Sequence, residues 1–223
     1  MRGGGTVVET CEGYGTASIP GKDGRRAIDS AAPPVVMVGD DSAMTTQPIL
    51  PTARGRLIPA TRADLDALWA IWREPEVRRY LFDDKEVSRE RAAEVLDACL
   101  AQGAHGRGLW TIHVEDERTL VGCAGLMPVS VAEYDPALDG LVEPIVALAP
   151  SWWGRGHAVE ALRILVDYAF GALALERLAG ATDVPNEASH RMLVSAGFVP
   201  QREWDGPRYR MRTYVLEAPE TKP

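Results

Sequence analysis

Ala149-Pro150-Ser151-Trp152-Trp153-Gly154-Arg155-Gly156-His157-Ala158-Val159-Glu160-Ala161 is the stretch on which the reading of this chain turns. An apolar, strand-like run, Ile145-Val146-Ala147-Leu148, leads into it. After it the apolar residues recur as Ala158, Ala161, Leu162, Leu165, Val166, Ala169 and Phe170. Spacings of three and four place them on one face of a helix. A strand therefore enters a short glycine-containing turn, and the turn opens a helix.

The first turn of a helix leaves backbone N–H groups without partners, and the helix dipole adds partial positive charge there. Gly154 and Gly156 bring no side chains to hold an anion away, and Arg155 adds a full positive charge. The junction reads as a cradle for phosphate or pyrophosphate. It reads equally as a strand–helix corner whose backbone needs two glycines. No G-x-x-x-x-G-K-[ST] occurs, so it is not a P-loop. Val159 stands where a dinucleotide fingerprint has its third glycine.

Trp153-Gly154-Arg155-Gly156-His157-Ala158 resembles the acetyl-CoA-binding motif of the GNAT superfamily of N-acetyltransferases, R/Q-x-x-G-x-G/A. Trp replaces the leading Arg or Gln, as in the W-G-x-G-x-A form of the RimJ/RimL-type branch. A second run, Asn186-Glu187-Ala188-Ser189-His190-Arg191-Met192-Leu193-Val194-Ser195-Ala196-Gly197-Phe198, resembles that branch's N-x-x-S-x-x-x-L-x-x-x-G-F signature. The resemblance covers about residues 54 to 216. It implies an α/β GNAT fold: a mixed central sheet of six to seven strands, flanked by about four helices and splayed between the fourth and fifth strands.

The chain has 223 residues, enough for one domain with a real core. A net charge of −8 argues against nucleic acid as a partner. Cys11, Cys99 and Cys123 fit neither a disulfide framework nor a zinc site, which suggests a reducing cytoplasm. No metal site is expected. No apolar run approaches membrane-spanning length, and the amino end lacks a signal-peptide layout. Residues 1–53 sustain no helical or strand period and are expected to be a disordered tail. Two other readings are a start assigned ahead of Met44 and an arm that orders on a partner. Residues 54–217 form the expected domain, and 218–223 a frayed end.

Within the domain, Arg56–Ala60 reads as a first strand. Thr61-Arg62-Ala63-Asp64 opens a helix that ends near Arg73, and a second helix runs from Ser88 to a stop at Gly103. Val77–Glu86, between them, reads as a solvated loop or, by resemblance, as an acidic rim of the acceptor site. Leu109–Glu115 and Leu120–Met127 form a hairpin, followed by an irregular stretch to Gly140. Val142–Leu148 is the strand that enters the glycine turn. Arg177–Asp183 is the fifth strand, and a helix from Glu187 to Ser195 follows. Phe198–Pro200 and Arg208–Leu216 give the last two strands, with a turn at Trp204–Pro207.

The resemblance implies a direct transfer, in which an amine attacks the thioester of acetyl-CoA. Val146, Ala147, Leu148, Trp153, Gly154, Arg155, Gly156, His157, Ala158 and Asn186 are the expected cofactor-binding residues. Glu143 is the candidate general base, or else an anchor for a cationic substrate or a solvated strand end. Its neighbour Pro144 lacks an N–H and suggests a bulged or open strand. Ser189 is the candidate acid for the departing thiolate, or an ordinary helix-start hydroxyl. His190 reads as a surface residue and Glu160 as structural. The acceptor is a primary amine, on a protein N-terminus or a small molecule. A non-catalytic acyl-CoA-binding module and transfer of another acyl group such as succinyl are the alternatives. A homodimer is compatible with the resemblance.

Overall fold

The computed structural model describes residues 47–114, 119–131 and 135–219. Among them, eight strands form one sheet: β1 Leu50–Thr52, β2 Gly55–Pro59, β3 Gly108–Val114, β4 Thr119–Pro128, β5 Val142–Leu148, β6 Arg177–Asp183, β7 Val199–Asp205 and β8 Arg210–Glu217. Five helices accompany it: α1 Leu65–Trp72, α2 Pro75–Leu81, α3 Arg89–Ala101, α4 His157–Gly171 and α5 Glu187–Ser195. The strand order is β1-β2-β3-β4-β5-β6-β8-β7. Neighbours run antiparallel except β5 and β6, which are parallel and joined through α4.

Side chains alternate across a strand, and the apolar ones here sort to two faces. Leu109, Cys123, Met127, Ile145 and Ala147 pack with Leu68, Trp72, Val95 and Leu96 of α1 and α3. Trp110, Ala124, Leu126, Val142 and Leu148 pack on the opposite face with Leu162 and Leu165 of α4 and Leu193 of α5. Burial on both faces explains why β4 reads as an almost continuous apolar run.

Three elements differ from the sequence expectation. β1 lies inside the stretch expected to be a disordered tail, and pairs with β2 from Leu50–Leu57 to Thr52–Gly55. The fully buried Trp110 explains its order: a buried indole N–H needs an acceptor, and it donates to the Pro48 carbonyl at 2.8 Å. Pro75 at the first helical position starts α2 in what reads as a loop. β7 runs on through Glu203-Trp204-Asp205, across a register shift between Pro200 and Glu203, so the turn before β8 falls at Gly206–Tyr209. Among the described residues the sheet thus has eight strands rather than six to seven, with five helices rather than about four. The remaining expectations for the tail fall on residues 1–46, and those for the frayed end largely on 220–223, both outside the described residues. Among the described residues no helix is long and apolar enough to cross a membrane.

Candidate active site

The two edges of β5 are unlike. Toward β4 the ladder is continuous from Gly122–Leu148 to Pro128–Val142. Toward β6 only Val142–Leu178 is paired, and the strands then part. Leu126–Pro144 lies within the unbroken ladder, so the proline does not bulge the strand on that side. The opening lies on the other edge. Ile145, Val146 and Ala147 are half-buried there, while Leu148 returns to the core. This is a strand whose backbone polar groups lack a partner strand, and such groups demand hydrogen bonds from something else.

The open edge leads into the glycine turn. Gly154 has φ +72° and Gly156 φ +85°, both left-handed. At Gly154 a Cβ would meet nothing, so the backbone angle alone calls for glycine. At Gly156 a Cβ would also approach the Arg54 guanidinium to 3.3 Å. Gly156 is the N-cap of α4 and carries no capping side chain, so the first-turn N–H groups remain directed outward. The corner thus needs its glycines for backbone angle, and it leaves the first-turn N–H groups of α4 open to a ligand.

Side chains brace this turn. The Trp153 indole N–H donates to the Leu148 carbonyl at 2.8 Å while the residue stays 48 % exposed. The Arg155 guanidinium stacks over the Trp152 ring at 4.6 Å. His157 is buried edge-on against Trp152, and Ala158 packs on the core, so both offer the site mainly backbone. Arg54 is a participant the motif does not contain. It donates to the Arg155 carbonyl at 2.7 Å and pairs with Glu160 at 2.7 Å. Arg54, Arg155 and His157 line an open cleft of about 630 Å³ beside the turn. Glu160 is structural, as expected.

Glu143 is only 1 % exposed. The Ser130 N–H donates to its Oε1 at 2.8 Å. Burial pushes its carboxyl up to about 7, against the lowering effect of the Ser130 hydrogen bonds. It lies opposite Met127 in the β4–β5 ladder, on the α1–α3 face. It is therefore not a solvated strand end. Nearby, Trp72, Phe82, Cys123, Met127, Ile145 and Ala147 line a void of about 20 Å³ beneath the open strand. Burial also raises the Cys123 thiol to about 11, which suits a core residue and not a nucleophile.

Beyond β6, Asn186 caps α5, its side chain accepting from the Ser189 N–H at 3.2 Å. Ser189 is half-buried, and its hydroxyl makes no hydrogen bond among the described residues. His190 is half-buried, and its Nδ1 lies 2.8 Å from the Tyr214 hydroxyl. The helix periodicity does not reveal this contact, because Tyr214 comes from β8.

Two further acids lie near the end of β6 and after α2. Asp183 ends β6, 7 % exposed, on the face that packs Ala179, Val129 and Met211. Burial, then the neighbouring Asp83, raises its carboxyl to about 6, and Arg208 acts in the opposite direction. Asp83 and Asp84 both hold left-handed backbones after α2. Arg208 fastens this corner, reaching Asp84 at 2.9 Å and the Arg79 carbonyl at 3.4 Å. Tyr80 donates to the Pro185 carbonyl at 3.3 Å, and its ring packs 6.1 Å from Tyr209. An aspartate ending an apolar strand is the only sequence signal for Asp183.

A sequence profile of the Acetyltransferase (GNAT) domain matches residues 54–199. The uncharacterized N-acetyltransferase YoaA of Bacillus subtilis (strain 168) is 30% identical over 152 residues, covering 68% of this chain and 82% of that protein. The FsC-acetyl coenzyme A-N(2)-transacetylase of Aspergillus fumigatus is 30% identical over 155 residues, covering 68% of this chain and 65% of that protein. Among solved structures, RimL, a ribosomal L7/L12 alpha-N-protein acetyltransferase in complex with coenzyme A, superposes with a TM-score of 0.64. It is 15% identical, over 76% of this chain and 98% of that one, and so shows the fold alone.

Proposed function

The chain belongs to the GNAT acetyltransferases, acyl-CoA-dependent N-acyltransferases that take acetyl-CoA, and from that premise we propose that it is a RimJ/RimL-type enzyme acetylating a primary amine by direct attack. The observation that carries this reading is the open β6-facing edge of β5, which leads into the uncapped start of α4. The residues fit the donor. The N–H groups of the glycine turn, with Arg155, receive its phosphates, and the backbone of Val146, Ala147 and Leu148 receives its pantetheine arm. Asn186 borders that arm from the start of α5. The W-G-x-G-x-A form and Glu143 support the branch.

The acceptor nitrogen approaches from the α1–α3 face. Its lone pair attacks the thioester carbonyl carbon, and a strand N–H polarises the carbonyl oxygen. Glu143 takes the proton lost from nitrogen, directly or through water. A carboxyl near 7 is ionised in part at neutral pH, which suits that task. The carbon–sulfur bond breaks, and Ser189 supplies a proton to the thiolate. An α-amine, at about 7.7–8.0, is neutral far more often than a lysine at about 10.4. A protein N-terminus or a small-molecule α-amine is the easier acceptor on that ground.

Thermal unfolding with acetyl-CoA, CoA and ATP tests the donor site. A ligand at about 100 times its Kd adds about 2.7 kcal/mol. The melting temperature should rise with both CoA species and not with ATP, and amine-dependent thiol release should follow. No rise with either CoA species removes the main support.

A further inference from the structure

We propose that Arg208 and Tyr80 set the size of the acceptor: they latch the end of α2 across the opening between β5 and β6, so that small amines are accepted and the N-terminus of a protein is turned away. For the reaction itself this rests on the transferase reading, and the latch rests on separate observations.

β5 and β6 pair only at Val142–Leu178 and part beyond it. The end of α2 reaches both walls of that opening. On the β5 side, Leu81 and Phe82 line the small void together with Ile145, Val146 and Ala147. Phe82 is buried there, its ring 5.9 Å from that of Trp72. On the β6 side, Tyr80 donates to the carbonyl of Pro185, in the connection from β6 to α5, at 3.3 Å. Arg208, in the turn before β8, reaches back to Asp84 at 2.9 Å and to the Arg79 carbonyl at 3.4 Å. Tyr209 of the same turn sets its ring 6.1 Å from that of Tyr80. Val77 and Phe82 pack with the residues of α1 and α3, so α2 crosses on the face from which the acceptor nitrogen approaches.

The two ties are unequal. Phe82 is held by the core, whereas the side chains of Arg208 and Asp84 are 33 % and 41 % exposed, and pairs of that kind hold weakly. The segment they hold is strained. Asp83 at φ +51° and Asp84 at φ +63° are adjacent non-glycine residues with left-handed backbones. Such conformations persist only where surrounding contacts enforce them. α2 has seven residues and buries only Val77, too little to keep its place without those contacts. Loss of the polar ties therefore lets the corner relax away from β6 while Phe82 stays. The latched corner stands where the polypeptide behind a terminal nitrogen has to pass, and a small amine has no such chain to place.

The test compares glycinamide with an unstructured decapeptide beginning with glycine, so that both present a glycine α-amine. The full chain is assayed as wild type, Arg208→Ala, Tyr80→Phe and the double variant. In wild type kcat/KM should favour glycinamide by about tenfold or more. The double variant should lower that preference about fivefold, chiefly through the KM of the decapeptide, and each single change should lower it less. Equal kcat/KM for the two acceptors in wild type, or a preference untouched in the double variant, overturns the proposal. Hydrogen exchange reads the latch without any reaction. Amides of residues 75–86 should exchange faster in the double variant, and those of α4 and β5 should not. Unchanged exchange over 75–86 overturns the latch, and so does faster exchange throughout the domain, because the ties then support the whole fold. If no amine is acetylated and the faster exchange is confined to 75–86, the transferase reading fails by itself and the latch is upheld.

Discussion

The two sides of the cleft are built from different materials. At the glycine turn the available polar groups are backbone: the N–H groups of the α4 start and the open edge of β5, shaped by two left-handed glycines. The charge there is positive, from the helix end and Arg155. Around Glu143 and the end of β6 the polar groups are instead buried side chains, Glu143 and Asp183, from strands that part from each other. On the proposed reading, a polyanion would meet the positive turn and an amine the acidic side chains. The fixed backbone of the turn tolerates little change in shape, whereas the buried acids are tuned by burial and charge.

The largest effect should come from the donor side. Gly156→Val introduces a Cβ beside Arg54 at a left-handed N-cap. Acetyl-CoA binding should be lost, seen as the disappearance of its thermal shift, with about 1–3 kcal/mol of added strain in the fold. Gly154→Ala carries backbone strain without a collision and serves as the control. Equal loss of binding in both would mean that backbone angle, and not space, governs the turn.

Next comes Glu143→Gln. Turnover should fall by about 10²–10⁴, with little change in acetyl-CoA affinity. In wild type the rate should climb as pH rises through about 7, and the variant should lose that limb. Unchanged turnover and pH profile would take the base role from Glu143.

The same substitution has a stability signature. Burial sets the folded carboxyl at about 7, above the unfolded value near 4.3. Between these values the unfolded chain releases its proton first, so Glu143 lowers stability as pH rises through that window. The penalty is absent below about 4.3 and full above about 7, on the order of 3 kcal/mol. Glu143→Gln should therefore be more stable than wild type at pH 8 and equal to it near pH 4. A stability difference independent of pH would refute the burial account.

The smallest effect should be that of Arg54→Ala. Its pair with Glu160 is substantially exposed on the arginine side, so the loss should not exceed about 1 kcal/mol. A modest weakening of acetyl-CoA binding should accompany it, through the freed Arg155 carbonyl.

These contrasts explain what could be read from the chain alone. Gly154, Gly156 and the helix after them are contiguous, and a contiguous device leaves its pattern in the sequence. The α4 and β4 patterns follow from burial, which depends on periodicity. α2 escaped because its charged residues obscure a single turn of apolar ones, with only Val77 buried. β1 escaped because Leu50-Pro51-Thr52 is short and contains a proline, and its order comes from Trp110, sixty residues away. Asp183 and Asp83 are distant in sequence, and only the fold brings them together. Glu143 was legible as a candidate, but its burial depends on β4 and Ser130.

The bond from Trp110 to the Pro48 carbonyl also sets where the polypeptide can be shortened. A version beginning at Met44 keeps that acceptor, and with it the Gln47 contact to the Leu109 carbonyl at 3.3 Å. A version beginning at Gly55 starts beside the first matched residue of the family profile, 54, yet strips the indole of its acceptor and β2 of its outer partner. An unsatisfied buried donor costs about 1–3 kcal/mol. It also leaves β2 as a bare edge, free to pair with another molecule. The shorter version should be the one that aggregates.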